Sequence, residues 1–295
     1  MKKTPYPLPL FLVTFLGLSL SVSSLAGATG SYISEYFDYG DTIVNLDGLG
    51  GGSGWAGDWQ RTSTWGIESD YTKYQPSTNL SSAVNGYENS GNVGGSAGGA
   101  TRVDRTTWRS TGALDGTIWI SFLLRFNQGF DNGHSAISFN PTHSNTGNAA
   151  NMFSVRPGNS GNTPQNFKYN GESSTVGSDI FNFSTNQTYL MMVRIVIDED
   201  GDNDRLDIWT HVADASSITA LGTPDFSRAD ADAFGSSLTS FGVAIRDTRI
   251  DAIRISNAEN GFDFVTTGVI PEPGTSALLM GGAVFMVLLL RRRRG

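Results

Sequence analysis

Two apolar segments, residues 116–126 and 188–198, constrain the fold of this chain more than any other feature of its sequence. In residues 116–126 the even and the odd positions are both largely apolar, as in a strand that is covered on both faces. Residues 188–198 form the most regular strand pattern, and an acidic stretch with a glycine joins them to a second alternating segment, residues 205–212. The first segment therefore predicts a central strand, and the other two predict a β-hairpin.

Composition extends this prediction to the rest of the chain. The 36 glycines and 11% aromatic residues, with only 16% charged residues, are typical of an all-β protein that is rich in turns. We therefore predict an antiparallel jelly-roll β-sandwich over residues 29–257. Further short strands are expected at 135–140, 151–156, 165–169, 240–246 and 249–256, the last two as a closing pair, with a short helix within 214–235.

The N-terminal residues 1–28 have the three parts of a secretory signal peptide. Lys2 and Lys3 provide a positive start, residues 8–20 are apolar, and small residues follow around Ala26. This segment predicts that the chain is exported.

Residues 269–295 combine three features at the C-terminal end. The tripeptide Pro271-Glu272-Pro273 favours extended backbone, because each proline fixes its own φ and restricts the residue before it. Residues 275–290 are uncharged and span roughly 24 Å as a helix, against roughly 30 Å for a hydrocarbon core, so a short transmembrane helix is expected. Before these features, residues 258–268 are interpreted as a polar linker. A basic cluster after the helix is expected to stop transfer on the cytoplasmic side: Arg291, Arg292, Arg293 and Arg294.

The order of tripeptide, short apolar helix and arginine cluster resembles the PEP-CTERM sorting signal of Gram-negative bacteria, the substrate of membrane proteases called exosortases. The resemblance implies transient anchoring in the inner membrane, cleavage near Pro271-Glu272-Pro273, and release or transfer to the cell surface. A permanent tail anchor is the alternative that the sequence leaves open.

Three stretches of the body resemble secreted laminin-G-like, concanavalin A-like domains. They read FDY…LDG…GGSGWAGDW, TRVDRTTW…TIWISFLLRF and RIDAIRIS. In the third stretch, Ala252 stands where these domains usually have an acidic residue, and Ser256 stands where they have glycine. The resemblance implies a concanavalin A-like fold, and these two departures weaken any site residue carried over from that strand.

The charge of the chain limits its partners. The net charge is −8, and it is more negative without the lysines and arginines of the two ends. An acidic surface argues against nucleic acid as a partner. The chain has no cysteine, which excludes disulfides and thiol catalysis, and its three histidines are scattered along the sequence.

The acidic turn between the two predicted hairpin strands is a candidate calcium site. Alternate aspartates can converge on Ca²⁺ when a loop curls, and the candidate ligands are Asp198, Asp200, Asp202 and Asp204. The stretch lacks the glycine position of an EF-hand loop, and an empty hairpin turn is the alternative.

Two aromatic residues in a glycine-rich loop, Trp55 and Trp59, are candidate sugar-stacking residues, with core packing as the alternative. The arginines at 102, 105 and 109 are interpreted as a solvated face. No catalytic residue is predicted, because the body lacks the paired carboxylates of a sugar-cleaving strand. The preferred function is a non-catalytic, exported surface or matrix protein that contacts extracellular polysaccharide. A calcium-dependent carbohydrate-binding module and a glycan-active hydrolase are the alternatives.

Overall fold

The computed structural model describes the larger part of the body. The described residues are 30–40, 44–61, 73–75, 80, 93–95, 107–126, 135–140, 152–156, 165–170, 175–176, 182–184, 187–198, 204–210, 212, 215–230, 234–244 and 248–270. The predicted signal peptide (1–28) and the tail from Pro271 onwards lie outside them.

Short antiparallel strands make up most of the described structure, with two short helices near its end. In chain order the elements are β1 (Tyr32–Glu35), β2 (Val44–Asn45), β3 (Gln60–Arg61), β4 (Lys73–Gln75), β5 (Val93–Gly95), β6 (Thr107–Leu114), β7 (Thr117–Phe126), β8 (Ser135–Phe139), β9 (Met152–Arg156), β10 (Gln165–Asn170), β11 (Thr175–Val176), β12 (Asn182–Phe183), β13 (Thr188–Val196), β14 (Asp204–Trp209), α1 (Ile218–Leu221), β15 (Phe226–Asp230), β16 (Leu238–Ala244), β17 (Thr248–Ser256) and α2 (Gly261–Thr267).

The strands form two sheets. Sheet A has the order β15-β14-β13-β7-β17-β5-β4-β2, and β1 also pairs with β17. Sheet B has the order β11-β10-β9-β8-β16-β6-β3, and β12 also pairs with β10. The antiparallel β-sandwich expected from the sequence is confirmed, and so is the β13–β14 hairpin, in which Met192 lies opposite Trp209.

The main core lies between the two sheets. Ile118, Ile120, Phe122 and Leu124 of β7 belong to it, together with Phe241 and other apolar residues of sheet B. The intervening residues of β7 lie on the outer face of sheet A, where Trp119 and Leu123 belong to a second apolar cluster. Both faces of β7 are therefore covered, as its two apolar parities predicted.

Helix α2 covers the outer face of sheet A, so the interpretation of residues 258–268 as a polar linker is wrong. Phe262, Phe264 and Val265 are buried in the second cluster, and the Phe262 ring lies 4.9 Å from Trp119. The guanidinium of Arg254 donates to the main-chain oxygens of Val265 (3.4 Å) and Thr266 (3.2 Å) near the helix C-terminus. Such contacts satisfy carbonyl groups that a helix end leaves unpaired, and they attach this segment to the body.

The last two strands do not form the closing pair that their spacing suggested. β16 pairs with β6 and β8 in sheet B, whereas β17 pairs with β1, β5 and β7 in sheet A. The chain therefore crosses from one sheet to the other between them. The short helix expected within 214–235 is confirmed as α1, and among the described residues neither helix is long and apolar enough to span a membrane.

Candidate functional site

Trp59 lies in the core and has no exposed face for a sugar. Its side chain is fully buried, and its ring stacks on Phe37 at 6.0 Å. Its indole Nε1 donates to Tyr39 Oη (3.0 Å) and to Glu35 Oε2 (3.2 Å). The prediction of a stacking role for Trp59 is therefore wrong, and the core-packing alternative is correct, because every polar and apolar part of the ring contacts protein.

Trp55 is half-buried beside the same cluster. Its Nε1 donates to the main-chain oxygen of Ser34 (2.9 Å), and the guanidinium carbon of Arg109 lies 4.8 Å from its ring centroid. That cation–π contact uses part of the ring surface that a sugar would need. A ligand role for Trp55 stays a prediction.

Arg109 belongs to a buried charge network rather than to a solvated face, which corrects the interpretation from sequence. Its Nη1 donates to Glu35 Oε2 at 2.6 Å and to the main-chain oxygen of Gly51 at 2.7 Å. Glu35 Oε2 also accepts from Tyr39 Oη at 2.7 Å, and Glu35 Oε1 accepts from a main-chain N–H. Burial and the neighbouring Glu35 carboxylate raise the pKa of Tyr39, so its hydroxyl stays protonated and donating. The network fixes the glycine-rich loop to β1.

In the acidic hairpin, the two candidate calcium ligands that the structure describes differ in exposure and in hydrogen bonding. Asp198 is exposed, whereas Asp204 is buried and its two carboxylate oxygens accept the main-chain N–H groups of Asp198 (3.0 Å) and Phe234 (2.7 Å). Asp200 and Asp202 lie outside the described residues. A calcium ion would compete with two N–H donors for the Asp204 oxygens, so the calcium site stays a prediction in which Asp204 is the least available ligand.

Asp207, near that hairpin, is the centre of a second charge network, on the outer face of sheet A. It accepts from Arg194 (2.5 Å), Arg205 (2.9 Å) and Ser227 Oγ (2.6 Å). Burial acts to raise the pKa of Asp207, but these three donors outweigh it and hold the pKa below its usual value. The arginine at 194 also lies over the stacked Trp119 and Trp209 rings, at 5.6 and 5.7 Å from their centroids. The arrangement stabilises the sheet.

The outer face of sheet B carries the feature that best fits a ligand. Trp108 of β6 lies opposite Gly242 of β16, Gly242 lies opposite Ser138 of β8, and on the other side Trp108 lies opposite Gln60 of β3. We call these four residues the Trp108 row. They lie on the outer face because their neighbours along the strands, such as Phe139 and Phe241, belong to the core.

The residues of the Trp108 row have the chemistry of a sugar subsite. The Trp108 side chain is half-buried, and the glycine opposite it adds no side chain beside the indole. The Ser138 Oγ is buried, and it has no hydrogen-bond partner in the part of the chain that the structure describes. A buried hydroxyl without a partner costs free energy, so a donor or acceptor from a ligand would be favourable there.

Polar residues continue this face in the neighbouring rows. Ser110 lies opposite Ser240, on one side of the Trp108 row. On the other side, β8 pairs with β9, and β9 pairs with β10. Sequence reasoning did not identify this face, because only the pairing register shows that residues from four separate strands, β3, β6, β8 and β16, share it.

Comparisons with known proteins find similar architectures at low sequence identity. No family model matches the chain, and no curated protein matches it. A crystal structure of a protein of unknown function from Shewanella oneidensis MR-1 is 13% identical, with a TM-score of 0.44, and the match covers 92% of this chain and 100% of that one. A structure of the alginate lyase Aly36B in complex with alginate tetrasaccharide is 12% identical (TM-score 0.38; 76% and 96% covered). The carbohydrate-binding module CBM66 from Bacillus subtilis is 13% identical (TM-score 0.33; 66% and 91% covered).

Proposed function

We propose that this chain is an exported, non-catalytic surface protein that binds polysaccharide through the Trp108 row. The observation that carries the proposal is the alignment on one sheet face of a half-buried indole, a glycine and a buried serine hydroxyl that has no hydrogen-bond partner among the described residues. Flat aromatic rings and hydroxyl groups are suited to the apolar and polar parts of a sugar ring. A jelly-roll connectivity of the concanavalin A-like type is part of the proposal.

Binding assays on the full-length protein in detergent test this site. We expect a panel of immobilised polysaccharides to retain the wild type, and we expect Trp108→Ala to weaken retention at least tenfold, or about 1.4 kcal/mol. Tyr36→Ala is the matched control, because Tyr36 is also half-buried but packs against the second cluster, beside sheet A. If Trp108→Ala and Tyr36→Ala are both folded and Trp108→Ala is retained as strongly as the wild type, the Trp108 row is excluded as the binding site.

A glycan-active enzyme is the second candidate. Incubation of the wild type with the polysaccharide that it retains, followed by analysis of chain length, separates the two functions. The binding proposal predicts unchanged chain length, and shortened chains would identify an enzyme.

We also propose that the tail directs sorting by an exosortase, with the inner membrane as a transient location and the cell surface or exterior as the destination. The support is the sequence order of Pro271-Glu272-Pro273, residues 275–290 and the four terminal arginines. In the structure, Val269 and Ile270 just before the tripeptide are exposed (65% and 53%), so a protease could reach this side of the motif. Glu272→Ala should leave uncleaved protein in the membrane fraction, whereas Thr267→Ala should not. Normal cleavage of Glu272→Ala would contradict sorting through this motif.

A further inference from the structure

Helix α2 is attached to the body at its C-terminal end, which is the end nearest the proline tripeptide of the tail. The Ser121 hydroxyl of β7 donates to the main-chain oxygen of Val265 at 2.8 Å. The guanidinium of Arg254 on β17 donates to the main-chain oxygens of Val265 and Thr266. These oxygens belong to the last turn, where a helix leaves carbonyl groups without intrahelical partners. Two strands of sheet A therefore hold the end of the helix.

The arginine that holds the helix end is itself held in place. Arg254 is only 3% exposed, and its Nε donates to Tyr36 Oη at 3.1 Å. The guanidinium carbon lies 5.7 Å from the centroid of the Tyr36 ring, which adds a cation–π contact. Contacts with Tyr36 and with the helix end therefore fix the orientation of the guanidinium.

Gly268 ends the helix against the same guanidinium. Its N–H donates to the main-chain oxygen of Phe264 at 2.7 Å, and its φ is +72°. A Cβ on Gly268 would lie 2.9 Å from the guanidinium carbon of Arg254. Glycine suits both the left-handed φ and the limited space, as is common directly after the last turn of a helix. We call Ser121, Arg254 and Gly268 the α2 clamp.

Access to the main chain changes abruptly at Gly268. Val265 and Thr266, just before it, are 0% and 4% exposed. Val269 and Ile270, just after it, are the exposed residues that lead to the tail. A protease acts on accessible chain, so a bond inside a buried helix is cut only after local unfolding has opened it. The clamp therefore separates a protected segment from an accessible one.

We propose that the α2 clamp sets the N-terminal limit of tail cleavage, so that the released body keeps α2 as its last element. The proposal rests on the proposed sorting of the tail and adds the boundary at which the tail is removed. The C-terminal limit comes from the sequence, because residues 275–290 are expected to lie in the membrane. The released body should therefore end at a residue from Gly268 to Gly274.

Mass spectrometry of the body released in its native host tests this boundary. A wild-type end before Gly268 would overturn the proposal. Arg254→Gln should give additional ends within α2, because a helix released from the clamp is open to proteases of the envelope. Arg205→Gln, at an exposed arginine on the same sheet, should keep the wild-type end.

Hydrogen–deuterium exchange of the full-length protein in detergent tests the clamp without the tail protease. Amides of α2 should exchange about tenfold faster in Arg254→Gln than in the wild type, with a smaller increase in Ser121→Ala and none in Arg205→Gln. Amides of β13 should exchange at the wild-type rate in all three variants, which distinguishes local release of α2 from general destabilisation. Equal acceleration of α2 and β13 in Arg254→Gln would overturn the proposal, and so would an unchanged end of the released body when α2 alone exchanges faster.

The outcomes separate this proposal from the sorting proposal. If Glu272→Ala is cleaved normally and the released body still ends at or after Gly268, sorting through the tripeptide fails and the clamp stands. If Glu272→Ala stays uncleaved while the wild-type body ends inside α2, sorting stands and the clamp fails.

Discussion

At the scale of single residues, the described structure holds charges in two different environments. Glu35 and Arg109 are both buried in the core region under the glycine-rich loop, with side chains 0% and 4% exposed. Arg205, by contrast, is 47% exposed where it contacts Asp207. The energetic consequence of losing one partner therefore differs between the two networks, since water can solvate a charge only where it is exposed.

Replacement of Arg109 should be among the most destabilising single changes in the body. Arg109→Leu leaves the Glu35 carboxylate buried without its cation, a loss of about 3–5 kcal/mol in the free energy of unfolding. Arg205→Ala is the control and should cost about 0–1 kcal/mol. Urea denaturation of both variants measures the difference, and equal losses would show that the Glu35–Arg109 pair does not hold the loop.

Asp207 predicts an acid-dependent loss of stability. Because its pKa in the folded chain is lower than its usual value, the carboxylate stabilises the fold above about pH 4, the unfolded pKa. That contribution disappears as the pH falls through the folded pKa. Asp207→Asn should therefore be less stable than wild type at pH 7, and the difference should shrink below about pH 4. A constant difference from pH 7 to pH 2, measured by thermal unfolding, would contradict this assignment.

At the scale of elements, the glycine-rich loop is held against β1 by close backbone contact. Ser53 and Ser34 exchange main-chain hydrogen bonds of 2.9 Å in both directions. Gly52 has φ of +72°, and a Cβ on it would lie 2.1 Å from the main-chain oxygen of Ser34. A glycine at this position is therefore required by both conformation and space.

Gly52→Ala should destabilise the loop, and Gly57→Ala should not. The first change forces a strained φ and a clash with backbone, at a cost of about 1–3 kcal/mol or more. Gly57 has no positive φ, and a Cβ there meets nothing within 4 Å. The free energy of unfolding of Gly57→Ala should therefore lie within about 0.5 kcal/mol of the wild-type value. Thermal unfolding of both variants checks the contrast. Similar unfolding temperatures would show that the loop can shift away from β1.

The sequence predicted elements whose signal is local and missed those that depend on partners far along the chain. β7 and the β13–β14 hairpin follow from apolar periodicity and a turn, so they could be predicted. Helix α2 has seven residues, too few for a strong periodic signal, and it is stabilised by its contact with Trp119 and Arg254. The sequence shows a tryptophan at position 108, but the sheet face on which it lies follows only from the pairing of β6 with β16, in which Trp108 lies opposite Gly242.

At the scale of the whole molecule, the two outer faces differ in chemistry. The outer face of sheet A carries the second apolar cluster, which helix α2 covers with Phe262, Phe264 and Val265. The opposite outer face carries Trp108, small hydroxyl residues and glycine along the centre of sheet B. The proposed polysaccharide site therefore lies on the sheet face that no described helix covers.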